Sequence, residues 1–231
     1  MNAPRHMPEL DTALHLEMLR GGQRRHRLAA RMKQAVRLVL GTDVVYGVEW
    51  GDPESVEPLR YVRQHFLRQY ITPESTVLEI GPGGGRWTRY MLSARQLYVV
   101  DYHQEMLLEL RSNFDRPNMT FIKNNGDDLP GVPDASIDFL FSFGAFVHLD
   151  PEIIEGYLSN IQRVLKPTAT AVIHYSDKTK PLGKRNGGFS ENDPATMRRL
   201  VLSHGYSIHE EDTGTMWHSS IIRFGLTPLA G

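Results

Sequence analysis

A short apolar run that ends in a glycine-rich turn constrains this chain more than any other feature. Val77 to Ile80 is typical of a buried strand, and four glycines follow between positions 81 and 85. Glycine tolerates positive φ and lets a ligand approach the backbone closely. The residues from Arg86 onward predict a helix, whose first N–H groups and positive dipole end would suit a carboxylate or a phosphate. The segment therefore predicts a strand, a ligand-binding turn and a helix.

The spacing of the glycines separates two classes of nucleotide site. Dinucleotide-binding domains use G-x-G-x-x-G, but a frame from Gly81 puts Arg86 at the third glycine and a frame from Gly83 puts Thr88 there. The pattern that fits is E-x-G-x-G-x-G, beginning at Glu79. It resembles the first motif of class I methyltransferases, which use S-adenosylmethionine (SAM). A structural turn without a ligand is the alternative.

Strand-like and helix-like segments alternate after this turn. Predicted strands cover 76–80, 97–101, 119–123, 137–142 and 169–175, and helices are expected near 58–70, 86–93, 103–113, 151–165 and 194–204. Two further strands, 206–210 and 219–224, have no helix between them and predict an antiparallel pair. The fold class is therefore α/β, a doubly wound, mostly parallel seven-stranded sheet with an antiparallel last strand. An N-terminal helical cap is expected over 1–60, and the SAM-binding domain over 61–231.

Composition excludes several function classes. The chain has 231 residues, a formal net charge of -1 and no cysteine, so disulfides, thiolate metal sites and cysteine nucleophiles are ruled out. No apolar run reaches the roughly 18 residues of a membrane span. Residues 1–10 lack the apolar core of a signal peptide. We therefore expect a cytoplasmic protein without a membrane partner, and the near-zero charge disfavours a nucleic acid partner.

The second predicted strand ends on Asp101, sixteen residues after Gly85. A carboxylate at this end of the strand can accept hydrogen bonds from ribose hydroxyls. The alternative role is a cap for the helix that begins near His103. The segment 124–130, which follows the third strand, resembles the G-D-A-x-D-L-P stretch of class I methyltransferases. In that alignment Asn125 falls where the family has the acid that contacts the adenine amino group, whereas a slip of two residues would put Asp127 there.

The segment 134–142 resembles the fourth strand of the same family, and Lys166-Pro167 resembles the turn before its fifth strand. Agreement in order and spacing runs from residue 76 to about 175. The resemblance implies SAM as the cofactor, S-adenosylhomocysteine as its product, and a cofactor site formed by Glu79, Gly81, Gly83, Gly85, Trp87, Asp101, Tyr102, Asn125, Gly126, Asp127 and Ser142. It identifies no subfamily in residues 1–60 and 176–218.

Methyl transfer to a hydroxyl benefits from a general base. His148, in the loop after the fourth strand, is the first candidate, and His174, at the end of the fifth strand, is the second. His218 is the third and is also a substrate-side candidate, together with Tyr46 and Trp50. Each histidine has a structural alternative. No metal site is expected, because no spacing around these histidines resembles a metal motif.

The acceptor is the least constrained part of the interpretation. Seven Lys/Arg and no acid lie between Arg20 and Arg37, and residues 178–192 form a basic, glycine-containing segment. These features suit an anionic acceptor, and Trp50, Tyr46 and Trp217 suit an aromatic one; a solvated surface is the alternative for the charges. We expect O- or N-methylation of a small molecule. The other hypotheses are a methyltransferase acting on RNA or protein, a non-catalytic SAM- or nucleotide-binding module of the same fold, and a nicotinamide reductase. The oligomeric state is open.

Overall fold

The computed structural model describes Gly47 and residues 50–228. All of these residues fall within the unit Val45–Gly231. The predicted cap over 1–60, including Tyr46 and the basic segment 20–37, lies almost entirely outside the described residues and stays a prediction.

The described chain alternates strands and helices as expected. Its strands are β1 Thr76–Ile80, β2 Gln96–Asp101, β3 Met119–Lys123, β4 Ile137–Ser142, β5 Leu165–Ser176, β6 Tyr206–Asp212 and β7 Ser219–Leu226. Its α-helices are α1 Glu57–Val62, α2 Gln104–Asn113, α3 Pro151–Val164, α4 Pro181–Arg185 and α5 Pro194–Ser203. Short 3-10 turns cover Thr88–Tyr90 and Phe146–His148.

The seven strands form one sheet in the order β3-β2-β1-β4-β5-β7-β6. The first five strands in this order are all parallel to one another. β7 is antiparallel to both β5 and β6. The predicted fold class is therefore confirmed. The chain leaves β1 towards β2 on one side and returns to β4 on the other, so the carboxyl ends of β1 and β4 flank the crevice where such sheets bind ligands.

Two hydrophobic layers hold the helices on the sheet. On one side, Leu158 and Ile161 of α3 and Leu200 of α5 pack against the sheet. On the other side, Leu59 of α1 and Leu107 of α2 do the same. Burial on both faces explains why β1 is buried at every position. It also explains why the residues from Val77 to Ile80 are apolar with the exception of Glu79.

The predicted helix at 86–93 is wrong. In its place a series of turns includes only the 3-10 turn Thr88–Tyr90, with Met91 N donating to Thr88 O over 2.8 Å. The side chain of Thr88 is directed inward to Glu79, and β2 begins at Gln96, so little chain is left for a helix. The argument from a helix dipole at this turn is therefore lost.

The predicted helix at 58–70 is divided. α1 continues as a π-helical turn over Arg63–Leu67 and a 3-10 turn over Arg68–Tyr70. The irregular part coincides with two side-chain contacts to the sheet: His65 Nε2 lies 2.9 Å from Glu210 Oε1, and Arg223 Nη1 donates to the Tyr70 hydroxyl over 3.0 Å. Among the described residues, no helix is long and apolar enough to cross a membrane.

Candidate functional site

The glycine turn after β1 is closely packed against neighbouring loops. Gly81 has φ of 70° and its N–H donates to Val100 O of β2 over 2.8 Å. A Cβ at Gly81 would collide with the Cβ of Ala145 in the loop after β4. Glycine is thus required here by the close approach of two loops as well as by φ.

The same turn contacts the end of α2. Gly85 has φ of 101°, and a Cβ there would lie 2.6 Å from Cε2 of Phe114. Asn113 Nδ2 donates to Gly84 O over 2.9 Å. Gly83, with φ of 53°, lies between these two packed positions. The turn is therefore held at both ends and presents its middle at the carboxyl edge of the sheet.

Asp101 ends β2 beside this turn. Its side chain is 8% exposed, and its Oδ1 accepts from His103 N over 2.8 Å. Burial raises the pKa of the Asp101 carboxyl, while backbone hydrogen bonds from His103 and Gly83 oppose that rise. A carboxylate has about four acceptor positions, so Asp101 can cap the start of α2 and still accept from two hydroxyls of a ribose. Both roles proposed from the sequence are compatible with this geometry.

Glu79, the first residue of the glycine motif, faces the protein interior. It is 2% exposed, and Thr88 Oγ1 donates to its Oε2 over 2.6 Å. Burial, with a smaller contribution from the charge of Asp101, raises the pKa of Glu79 to about 8. Glu79 thus anchors the chain that follows the turn through its hydrogen bond with Thr88.

The segment after β3 places its three predicted site residues differently. Asp128 accepts from Asn125 twice, from the backbone N over 2.7 Å and from Nδ2 over 2.9 Å. This orients the Asn125 amide and leaves its Oδ1 as an acceptor. Asp127 instead lies against α3, where a Cβ on Gly156 would collide with its carboxylate. Between the two aligned registers, the geometry favours Asn125 as the group that accepts from an adenine amino group.

Gly126 and Tyr102 complete this side of the crevice. Gly126 has φ of 116°, and a Cβ there would lie 3.7 Å from Cδ2 of Tyr102. The Tyr102 side chain is 43% exposed, and Lys123 Nζ lies 5.4 Å from its ring centroid. This side of the crevice thus has a glycine turn, the Asp101 carboxylate, the oriented Asn125 amide and the exposed Tyr102 ring. Together these groups fit a nucleoside with a polar tail. The residues present therefore fit the SAM that the motifs imply.

Two predicted cofactor residues lie in the core. Trp87 is 2% exposed, and its ring centroid lies 4.6 Å from that of Phe143. Ser142 is fully buried, and its hydroxyl donates to Ile80 O over 2.8 Å, which joins the ends of β4 and β1. Both side chains are therefore engaged within the protein interior.

His148 lies in the 3-10 turn after β4, and its side chain is exposed. Its Nδ1 lies 2.6 Å from Gly188 O. A carbonyl oxygen only accepts, so Nδ1 carries the proton and donates it. In the neutral ring Nε2 then has the free lone pair. This arrangement leaves His148 able to accept a proton from an acceptor group.

His174, at the end of β5, is occupied at both nitrogens. Gly144 N donates to its Nδ1 over 3.2 Å, and its Nε2 lies 2.5 Å from Ser219 Oγ. Burial lowers the pKa of His174 well below its usual value, and electrostatic interactions with His218 and Arg86 lower it further. His174 is 3% exposed. It is therefore neutral and has no lone pair to offer a substrate.

His218 precedes β7 and is half-buried. Its Nδ1 lies 2.7 Å from Ser219 Oγ. Burial lowers the pKa of His218, and the charge of Lys180 adds to this. The adjacent Trp217 is 72% exposed.

Aromatic contacts bring the three histidines into one cluster. The rings of Phe143 and His174 are stacked with centroids 4.0 Å apart, and the His174 and His218 centroids are 6.2 Å apart. Phe189 then contacts both His218, at 5.3 Å, and His148, at 5.7 Å, with its ring edge-on to each. We call Phe143, His174, His218, Phe189 and His148 the aromatic cluster. It lies at the carboxyl ends of β4 and β5, beside the glycine turn.

The segment 178–192 is held near both of its ends by hydrogen bonds. Lys178 N donates to Asn192 O over 2.8 Å, and Ser190 N donates to Val147 O over 2.8 Å. Lys180 Nζ donates to Met216 O and Ser219 O over 2.8 and 2.6 Å and lies 3.6 Å from Asp177 Oδ2. Two of the four Lys/Arg side chains in this segment, Lys178 and Lys180, therefore make contacts within the chain.

Trp50 is the other substrate-side candidate inside the described range. Its side chain is 62% exposed, and its carbonyl oxygen accepts from Arg86 Nη1 over 3.3 Å. Arg86 also lies with its guanidinium carbon 5.7 Å from the Phe143 ring centroid. The loop that contains Trp50 thus contacts the glycine turn and one end of the aromatic cluster.

Sequence analysis missed three members of this arrangement: Phe143, Phe189 and Ser219. Phe143 had a weak signal, since it directly follows a predicted strand whose carboxyl end was already assigned to the site. Ser219 likewise had a weak one, since it directly follows the candidate His218. Phe189 had none, because a contact across more than forty residues brings it to His148. Within the described range, no three His, Asp or Glu side chains converge as metal ligands.

The central part of the chain matches a known family. Residues 77–168 match the family model described as a methyltransferase domain. The ribosomal RNA small subunit methyltransferase A of Pelagibacter ubique is 36% identical over 90 residues, which is 37% of this chain and 33% of that protein. The chain therefore matches about a third of the length of this curated relative.

Solved structures share the fold. A SAM-dependent methyltransferase from Mesorhizobium loti superposes with a TM-score of 0.63 and 12% identity, over 74% of this chain and 99% of the other. One from Aquifex aeolicus superposes with a TM-score of 0.56 and 18% identity, over 76% and 92% of the two chains. At these identities the likeness concerns the fold. The match over 77–168 thus identifies a methyltransferase domain in this chain, and the solved structures share its class I fold.

Proposed function

We propose that this chain transfers a methyl group from SAM to an oxygen or nitrogen atom of a small aromatic acceptor, with His148 as the proton acceptor. The observation that carries the proposal is the hydrogen bond from His148 Nδ1 to Gly188 O. It orients an exposed imidazole at the carboxyl edge of the sheet, where we place the cofactor, and among the described residues no hydrogen bond involves its Nε2.

We propose that different residues of the crevice bind different parts of SAM. We assign the ribose hydroxyls to Asp101, the methionine portion to the backbone of the 81–85 turn, and the adenine to Asn125, Gly126 and Tyr102. When bound, SAM supplies an electrophilic methyl group on a sulfonium. The chain's own contribution is then to align an acceptor atom with that methyl group, which can supply effective molarities on the order of 10⁵ M.

An aromatic acceptor is favoured over a strongly anionic one. The exposed edge of the aromatic cluster offers Phe189 and two imidazoles, and Trp217 beside it is 72% exposed. Ring-edge and stacking contacts of this kind are worth about 0.5–1.5 kcal/mol each. Lys184 and Arg185 of α4 are the exposed cations of the same segment, and they remain available for a negative substituent.

The first experiment is calorimetry of the purified protein with SAM and with S-adenosylhomocysteine. Micromolar binding of both, lost in Asp101→Ala, would support the cofactor assignment. Screening of phenols and aromatic amines in the presence of SAM would follow. No binding of either compound would refute the proposed activity, because the chain would then have a methyltransferase domain without its cofactor.

RNA is the second candidate acceptor, since the Pelagibacter ubique relative is named for methylation of ribosomal RNA. The match to that relative extends over only 90 residues, 37% of this chain, and the family match ends at residue 168, before His174, Phe189 and His218 of the aromatic cluster. Incubation with tritiated SAM and total RNA, beside a pool of small phenols, separates the two. Label in RNA alone would overturn the small-molecule proposal.

A further inference from the structure

A continuous line of hydrogen bonds runs through the aromatic cluster. It begins at Gly144 N, passes through both nitrogens of His174 and through Ser219 Oγ, and ends at Nδ1 of His218. The three distances are 3.2, 2.5 and 2.7 Å. We call this line the His174–Ser219 relay. The donor and acceptor of each bond follow from the chemistry of a backbone N–H, a hydroxyl and a neutral imidazole.

The first bond sets the state of His174. A backbone N–H can only donate, so Nδ1 of His174 accepts from Gly144 and carries no proton. The ring is neutral, since burial holds its pKa well below the usual value. Its single proton is therefore on Nε2, which donates to Ser219 Oγ.

The hydroxyl of Ser219 connects His174 to His218 and fixes which nitrogen of His218 carries a proton. Ser219 is fully buried, and within the described chain the two imidazoles are the hydrogen-bond partners of its hydroxyl. Since His174 already donates to the oxygen, the Ser219 proton is directed to Nδ1 of His218. A neutral His218 that accepts at Nδ1 carries its own proton on Nε2. No partner for this Nε2–H is found among the described residues.

His148 has the opposite tautomer. It donates from Nδ1 to Gly188 O and keeps a lone pair on Nε2. Both imidazoles contact the ring of Phe189, so a hydrogen-bond acceptor and a hydrogen-bond donor flank the same aromatic surface.

We propose that the His174–Ser219 relay holds His218 as a neutral Nε2–H donor, and that His218 and His148 together select acceptors in which the methylated hydroxyl or amine stands beside an oxygen lone pair. His148 takes the proton from the nucleophile, and His218 donates to the neighbouring carbonyl, ether or phenolic oxygen. His174 and Ser219 are positioning residues that act through His218. The substrate part of this inference rests on the proposed function, whereas the tautomer part does not.

The tautomer is tested on the unliganded protein. Two-bond ¹⁵N–¹H correlation spectra of the imidazoles distinguish a protonated from an unprotonated nitrogen, and His218→Gln assigns the signals of His218. We expect an unprotonated Nδ1 and a protonated Nε2 near neutral pH. A charged ring, or a proton on Nδ1, would overturn the proposal whatever the enzyme does.

Two serine variants test the relay itself. Ser219→Ala removes the link and should abolish the preference of His218 for one tautomer. Ser220→Ala is the matched control, because Ser220 is equally buried and its hydroxyl donates to Asp177 over 2.6 Å outside the relay. A preference that survives Ser219→Ala would show that another contact sets the tautomer.

The selection of acceptors is tested with two compounds of similar shape. 2-Methoxyphenol has an ether oxygen beside its hydroxyl, and 2-ethylphenol does not. We expect 2-methoxyphenol to bind about fivefold more tightly, as one added net hydrogen bond implies. His218→Phe, which keeps an aromatic ring, should remove the difference. Equal affinities for the wild-type protein, or no measurable binding of 2-methoxyphenol, would overturn the selection while leaving cofactor binding and the tautomer result intact.

Discussion

The cofactor side of the crevice and the acceptor side are built in different ways. On the cofactor side, Gly81 and Gly85 meet Ala145 and Phe114 closely, and Asp101 is held by backbone donors from the segments on either side of it. On the acceptor side, side chains from the loop after β4, from β5, from the 178–192 segment and from β7 meet through rings and one serine hydroxyl.

Because of this difference, substitutions on the two sides should affect different properties of the protein. Changes on the cofactor side act through backbone packing or through a buried charge, so they should alter stability and cofactor affinity. Changes on the acceptor side remove a side-chain function from a frame that stays in place, so they should alter turnover or selectivity. The predictions below test that separation, from the largest expected effect to the smallest.

His148→Gln should lower turnover by about 10²–10⁴-fold, because a positioned general base contributes that much. Affinity for SAM should not change, since His148 lies on the acceptor side. His209→Gln is the control, an exposed histidine on β6. Steady-state rates with an acceptor found by screening measure the effect, and full activity in His148→Gln would remove His148 as the base.

The buried carboxyl of Glu79 predicts a pH dependence of stability. Its folded pKa is raised from 4.5 to about 8, so the folded state retains a proton that the unfolded chain loses. The free energy of unfolding should therefore fall as pH rises from about 4.5 to 8, by on the order of 5 kcal/mol, and level off above that range. Urea unfolding of the wild type and of Glu79→Gln measures it. The variant lacks this titration, and an identical pH profile for both proteins would contradict the assignment.

Gly81→Ala should destabilise the protein by about 3 kcal/mol, because the added Cβ would collide with Ala145 at a backbone with φ of 70°. Gly187→Ala is the matched control, since nothing lies within 4 Å of a Cβ there. Thermal or urea unfolding compares them. If Gly81→Ala were as stable as Gly187→Ala, the glycine turn would not have the tight packing described.

Asp101→Asn should weaken SAM binding by about 10–100-fold, as expected for hydrogen bonds to a charged group. The fold should be retained, because the amide oxygen can still accept from His103 N. Calorimetry measures the affinity, with Asp115→Asn, an exposed carboxyl after α2, as the control. An unchanged dissociation constant would reduce Asp101 to a cap for α2.

Sequence patterns predicted the strands well because their cause is local. The apolar runs at 76–80, 119–123 and 137–142 became β1, β3 and β4 with the bounds expected. The helix at 86–93 failed because a contact between distant positions, Thr88 with the buried Glu79, competes with local helix propensity.

The sequence by itself determined the sheet, the glycine turn and the acid at the end of β2, because burial periodicity and glycine spacing are properties of neighbouring residues. Only the tertiary structure decided which histidine can take a proton. The sequence ranks His148 before His174 but leaves both as candidates, whereas in the structure His148 donates to Gly188 O and keeps a lone pair, and His174 is buried between Gly144 and Ser219. Tautomer and access depend on hydrogen-bond partners thirty to forty-five residues away, and no local pattern records them.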